Sequence, residues 1–345
     1  MRARNYALAF VASAAGLFIA VVAVNLAIDT QGMFGTGLLG QPLNPNTRYQ
    51  RFVDYQSASD RYDGLLFGSS RALDLPLEEL QRMKGASFAN FAVQFGLITD
   101  DLPILEYVLR EKTTKRQRLQ AVFVLLDVDS FGAEPKTNRF LQTMLAPAVT
   151  GEQPLRFWWR YLTAIQVGTW RKEIVRAWKR QRSEEGRNAS AAVAPGPAAQ
   201  EGTLVAGAAP AVVREPQPEP WGLAPLSQRI TGRPDYARQL RVLRDLSRLC
   251  QGNGVQLFVA ASPLSNEEAA KYNPAELARV VDDVSRIVPV WDFTNSQWLA
   301  QHPELWSDSR HFKEEVGRLI LARMFGDAAV AVPADFGRLR ATASR

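Results

Sequence analysis

Gly64-Leu65-Leu66-Phe67-Gly68-Ser69-Ser70-Arg71 is the stretch on which the fold of this chain turns. Its first four residues form a short apolar run, and Gly68 to Ser70 are turn residues, the pattern of a buried strand ending in a loop. The same pattern recurs at Ser87–Phe91, Ala121–Asp127, Gln256–Ala261 and Val288–Phe293. Between these runs lie helical stretches. DDLPILEYVLREK starts at Asp100, with Thr99 or Asp100 as its N-cap. In PDYARQLRVLRDLSRLC the apolar positions Tyr236, Leu240, Leu243, Leu246 and Leu249 fall three or four apart. Strand and helix in alternation predict an α/β domain with a five-stranded, mostly parallel sheet sandwiched by helices.

Upstream, Tyr6 to Ile28 is a 23-residue stretch without a charge, long enough to cross a hydrocarbon layer of ~30 Å as a helix. A cleaved signal peptide has an apolar region of only ~7 to 15 residues, so the length reads as an uncleaved anchor. Arg2 and Arg4 precede the stretch and Asp29 follows it. The positive-inside rule then leaves the N-terminus in the cytoplasm and sends the rest across the inner membrane to the periplasmic or extracytoplasmic side. Residues 1–30 are thus read as the anchor and 31–62 as a lead-in segment. The lead-in contains Gly35, Gly37 and Gly40, which match G-x-G-x-x-G letter for letter, but Pro42 and Pro45 stand where the motif needs a helix. A dinucleotide site is therefore not expected.

The 345 residues carry 46% hydrophobic and 22% charged side chains, which excludes a wholly disordered chain and a multi-span membrane protein. The main domain is expected over 63–330, with a C-terminal tail at 331–345. Within it, 188–220 is an Ala/Pro/Gly-rich run read as a disordered loop. Residues 151–187 carry nine Lys/Arg against four Glu and four of the eight tryptophans, so most of the formal +6 sits here. Trp170, Ile174 and Trp178 share one helical face. That segment could lie on a membrane interface, line a saccharide groove, or pack against the domain with its cations in water. Nucleic acid is not an expected partner, because the topology places this charge outside the cytoplasm. One cysteine, Cys250, rules out an internal disulfide, and with only His302 and His311 beside it no structural zinc site can be assembled. No cofactor or metal is expected.

The loop after the first strand places Ser69, Ser70 and Arg71 where an open parallel sheet presents its ligands. A serine hydroxyl barely ionises near neutrality and needs a base within reach. Near the far end, Asp308-Ser309-Arg310-His311 precedes an amphipathic helix led by Val316, Leu319, Ile320 and Met324. A carboxylate three residues before an imidazole can hold Nδ1 and leave Nε2 free to take a proton; otherwise the two would cap the helix. Arg71 could hold an anionic substrate or form a structural salt bridge. Asp127 and Asp129 could bind a cation or cap a turn.

The strand-end Gly68-Ser69-Ser70 together with Asp308-x-x-His311 resembles the SGNH (GDSL-like) hydrolase superfamily across about residues 63–326. The resemblance implies a three-layer α/β/α fold, Ser70 as nucleophile, His311 as base and Asp308 as its orienting acid. It also implies oxyanion donors at Gly96 and Asn90 in NFAVQFG. Ser69 stands where the family has Asp, and LLDVDSF replaces the family's Gly-x-Asn-Asp block. With the anchor, the Gly-Ser-Ser-Arg string resembles the membrane-anchored envelope branch, the alginate O-acetyltransferase and teichoic acid D-alanyl transfer proteins. The implied function is an esterase or O-acyltransferase, of acetyl groups, on a cell-envelope or exported polysaccharide. Its implied partner is a membrane-bound O-acyltransferase. The alternative is a catalytically inactive, membrane-tethered scaffold on the same fold that binds glycan or such an acyltransferase.

Overall fold

The computed structural model describes residues 2–132, 135–192 and 230–341. They fall into two compact units, one from the stretches 1–45 and 158–223, the other from 46–157 and 224–345.

The larger unit is built on a mixed six-stranded sheet in the order β2-β1-β3-β4-β5-β6. The strands are β1 (Gly64–Gly68), β2 (Phe88–Asn90), β3 (Ala121–Leu126), β4 (Gln256–Ala261), β5 (Val290–Asp292) and β6 (Arg338–Arg340). The first five pair in parallel, and β6 runs antiparallel to β5. β3 shows why the runs are continuously apolar. Val122, Val124 and Leu126 enter one core and Ala121, Phe123 and Leu125 the other, so both faces of the sheet are covered.

Against the first face pack residues of α2 (Thr47–Ser57), α4 (Ile98–Thr114), α7 (Tyr236–Gly252) and α8 (Pro274–Ser285). Against the second pack α3 (Leu77–Lys84) and α9 (Glu314–Phe325). On α7 the expected spacing buries Tyr236, Leu243 and Leu246, adds Cys250, and leaves Leu240 and Leu249 at the rim.

Several boundaries differ from the sequence reading. The sheet has six strands rather than five. β6 lies in the stretch expected as a tail, and all three of its residues are exposed, so it carries no apolar signal. It is held by the buried Phe336, whose ring meets Phe293 at 5.0 Å, and by Arg340 on Asp292 at 3.0 Å. Part of the lead-in belongs to this unit: α2 is capped by Asn46, whose Oδ1 accepts from Tyr49 N at 3.1 Å, and buries Arg48, Phe52 and Tyr55. α4 starts at Ile98 instead of after Thr99 or Asp100. The Thr99 hydroxyl is used on Asn138 Oδ1 at 2.7 Å, and the Asp100 carboxylate pairs with Arg48 at 2.9 Å.

The smaller unit holds α1 (Arg2–Ile28), residues of α5 (Pro154–Leu162) from Trp158 onward, and α6 (Val167–Ala192). Ala3–Ile28 is long and apolar enough to cross a membrane, with a hydropathy of 2.5, and its most apolar stretch is exposed while Asn25 and Ile28 near its end are buried. After it, the Asp29 carboxylate accepts from Met33 N, Phe34 N and Gly35 N at 2.7–3.0 Å and closes a turn. Glu173 of α6, buried, accepts from Leu43 N at 2.6 Å and pairs with Arg176 at 2.8 Å. Trp170, Ile174 and Trp178 do share one helix, but only Trp170 is partly buried. The expected loop at 188–220 begins as helix through Ala192; the remainder of it lies outside the described residues.

Candidate active site

β1 and β3 are neighbours, and β2 lies on the far side of β1, so the connections leaving β1 and β3 diverge at the carboxyl ends of the strands, the switch point at which open α/β sheets present their ligands. The turn after β1 depends on Gly68. Its φ is 144°, and a Cβ there would stand 2.7 Å from the Ala72 Cβ and 2.8 Å from Leu125 O. From Gly68 the chain enters a single 3-10 turn, Ser70–Asp74, capped by Ser69, whose Oγ accepts from Arg71 N at 3.1 Å. Ser70 therefore opens the turn, with its Oγ 2.8 Å from His311 Nε2.

His311 ends a tight loop closed by a bridge between Trp306 and Phe312 and by Ser307 N donating to His311 O at 2.7 Å. Asp308 organises the loop and the ring at once. Its Oδ1 accepts from Arg310 N at 2.8 Å and His311 N at 2.9 Å, and its Oδ2 lies 2.7 Å from His311 Nδ1. Partial burial opposes the Asp308 charge. The Arg310 and His311 amides and the imidazole outweigh it and hold the carboxyl below its ordinary range. With Nδ1–H donated to Asp308, Nε2 faces Ser70 as the acceptor. The His311 side chain is 18% exposed and that of Asp308 47%, so the site opens to solvent. The lone thiol is no rival nucleophile: burial pushes Cys250 up to about 12.

Arg71, expected at the substrate, is turned inward. Its side chain is 3% exposed and faces both carboxylates that follow β3: Asp129 at 2.9 Å and Asp127 at 3.2 Å. Its Nε donates to Arg310 O at 3.0 Å. Asp127 and Asp129 are accordingly partners of a guanidinium, neither a cation site nor turn caps. Burial penalises all three charges. The two acids nonetheless push the Arg71 value up, and Arg71 holds Asp129 below the ordinary carboxylate range. Asp127, less well aligned with the guanidinium, is pushed above that range by its burial. The cluster ties the Ser70 turn to the histidine's loop. From the segment after β4, Ser265 holds that loop by donating to Ser309 O, and the buried Glu268 by accepting from Arg310 Nε at 3.2 Å.

The expected oxyanion donors lie in the segment after β2. Gly96 packs so closely on the β1 turn that a Cβ would come within 2.1 Å of Gly68 O. Its N–H donates to Val93 O at 3.0 Å, and Val93 N donates to Gly68 O at 3.2 Å. Half-buried Asn90 uses its Oδ1 on Ala92 N at 2.9 Å. The segment is clamped by Arg48, which donates to Gln94 O at 3.1 Å and Phe95 O at 2.7 Å while paired with Asp100. Phe95 sits there at a φ of 53° with its side chain 40% exposed. His302 takes no part in the cluster: its Nδ1 is 2.7 Å from Trp298 O and its ring stacks on Trp298. Sequence reasoning missed Arg48, Ser265 and Glu268. Arg48 lies in α2, and Ser265 and Glu268 cap and line a short helix after β4, where nothing local shows what each will meet.

Compared with protein-family models, with curated proteins and with solved structures, the chain matches none.

Proposed function

We propose that the chain is a membrane-anchored serine acyl-transfer enzyme, an esterase or O-acyltransferase. Ser70 is its nucleophile, His311 its acid and base, and Asp308 the group that orients His311. The observation that carries this reading is the continuous contact from Ser70 Oγ to His311 Nε2 at 2.8 Å and from His311 Nδ1 to Asp308 Oδ2 at 2.7 Å. Ser70 Oγ attacks the acyl carbon while its proton passes to Nε2. The leaving alkoxide departs with that proton, and an incoming water or sugar hydroxyl, deprotonated by Nε2, releases the acyl group from Ser70. On this reading Ser70 N–H, the Asn90 side chain and Gly96 N–H would serve the oxyanion.

The resemblance to the SGNH superfamily narrows the acyl group to acetyl and the acceptor to a cell-envelope or exported polysaccharide. It also brings in a membrane-bound O-acyltransferase as partner. The apolar α1 supports an inner-membrane anchor with the larger unit on the periplasmic side.

The test is covalent labelling of the full-length protein in detergent with a fluorophosphonate, mapped by peptide mass spectrometry. Labelling is expected at Ser70, lost in Ser70→Ala and strongly slowed in His311→Ala. One observation favours the inactive scaffold instead: Gly96 N–H is already committed to Val93 O. On that reading Ser70 takes no label, and glycan binding survives His311→Ala.

A further inference from the structure

α5 ends at Leu162 and α6 begins at Val167, so the last carbonyls of α5 and those of the turn before Gln166, whose own carbonyl accepts from Trp170 N at 2.9 Å, lie beyond either helix's ladder. The Asn25 side chain of α1 takes up two of them, donating from Nδ2 to Leu162 O at 2.8 Å and to Ala164 O at 2.9 Å. Its Oδ1 accepts from Trp170 Nε1 at 3.1 Å. Thr163 folds its hydroxyl back onto Trp159 O at 2.8 Å. In water such a turn could be left to the solvent. Irregular backbone at membrane depth has no solvent and must find partners in protein, and Asn25 supplies them for two carbonyls of this turn.

Position along α1 gives the same answer. The Trp159 ring stacks on Phe18 with centroids 5.4 Å apart. Phe18 is ten residues before Ile28, the end of α1, or about 15 Å along the axis at ~1.5 Å per residue. That is roughly half of a ~30 Å hydrocarbon layer. If α1 crosses a bilayer, a helix whose indole reaches this far along it lies in the bilayer too.

The surface of the hairpin fits that medium. Trp159, Ile165, Val167, Ile174 and Trp178 are each more than half exposed, with Ile165 at 71% and Val167 at 64%. Along α6 exposed Arg171, Lys172 and Lys179 alternate with Ile174 and Trp178, and the Arg182 guanidinium lies 3.8 Å from the Trp178 ring centre, the mixture of apolar and cationic side chains that suits an anionic membrane interface.

We infer that the α5–α6 hairpin is inserted in the leaflet at the C-terminal end of α1, with Ile165 and Val167 among the acyl chains and the basic part of α6 at anionic headgroups. The inference rests on the reading of α1 as a membrane span, whose exposed surface it continues.

Depth-dependent quenching tests it on the full-length chain. In a Cys250→Ala background, NBD is attached singly at Ala14→Cys in the span, at Ile165→Cys and Val167→Cys in the turn, and at the exposed Glu267→Cys in the larger unit. Each protein is placed in phosphatidylglycerol/phosphatidylcholine nanodiscs with doxyl groups at carbon 5 or carbon 12 of the acyl chain. Quenching at 165 and 167 is expected to exceed that at 267 several-fold and to approach that at 14. If position 14 is quenched and 165 and 167 behave like 267, the inference is overturned and the span stands. If 14 is itself unquenched, the span reading fails and takes the inference with it. A blue-shifted, unquenched probe at 165 means protein covers the hairpin, which also overturns it.

Discussion

On the proposed reading, replacing Gly96 by alanine should slow acyl transfer as well as lower stability, and the structure gives the size of both effects. The added Cβ would lie 2.1 Å from Gly68 O, 2.8 Å from Gly68 C and 3.2 Å from Ser69 Cα. Unstrained heavy-atom contacts lie near 3.5 Å, so the two backbones must separate by on the order of 1 Å. The Gly96 side resists, because Arg48 holds the carbonyls of Gln94 and Phe95 and is itself fixed by Asp100. Much of the displacement therefore falls on the turn that aims Ser70. A shift of about 1 Å in a catalytic group can cost about 10²-fold in rate. The overpacking costs about 1–3 kcal/mol of stability, roughly 2–12 °C in melting temperature for a domain of this size. Fluorophosphonate labelling rates and hydrolysis of p-nitrophenyl acetate measure the first effect, and thermal melts the second. Gly85→Ala is the control: Gly85 differs from Gly96 in having a positive φ, 62°, so its alanine is strained too, but nothing lies within 4 Å of its Cβ position, and it precedes the amino end of β2. It should lower the melting temperature and leave labelling unchanged. A Gly96→Ala protein that labels within twofold of wild type would refute the reasoning.

Three further outcomes are expected. Asp308→Asn loses the acceptor for Nδ1–H and should slow ester turnover by up to about 10⁴-fold while Ser70 stays in place, measured by single-turnover labelling. Arg71→Met leaves Asp127 and Asp129 facing each other without their cation and should cost about 3–5 kcal/mol in urea denaturation, most of it recovered by adding Asp127→Asn and Asp129→Asn. Asp129, held below the ordinary carboxylate range by Arg71 in spite of its burial, contributes stability that is fully present above about pH 4 and is lost as pH falls through its depressed folded value. The gap in urea midpoint between wild type and Asp129→Asn should therefore narrow from pH 7 to pH 3; a gap that widens would contradict the assignment.

The five parallel strands could be read from the sequence because a strand covered on both faces must be apolar throughout, as Ala121–Leu126 is. β6 could not, since an exposed edge strand such as Arg338-Leu339-Arg340 needs only backbone pairing and gains from charge. The Asp308–His311 contact follows from local spacing. The role of Arg71 does not: its partners are 56 and 58 residues away and reach it only because β1 and β3 are neighbours in the sheet. The same holds for Arg48, which sits in a stretch without strand or motif yet fixes the segment beside Gly68. The α5–α6 hairpin was legible as a basic, Trp-rich amphipathic segment. The use of Asn25 to close its turn was not, because an asparagine inside an apolar helix says nothing of what it will meet.

Ser70 and His311 lie 241 residues apart in the chain. If α1 anchors an exported chain, as proposed, the Ser70 turn crosses the membrane well before the Asp308–His311 loop, so the hydroxyl has no base until that loop has followed. Protein stalled or clipped in transit carries an inert serine. The long separation that makes the pair invisible to local sequence patterns thus confines any acyl chemistry to molecules whose C-terminal helix has already been delivered and folded.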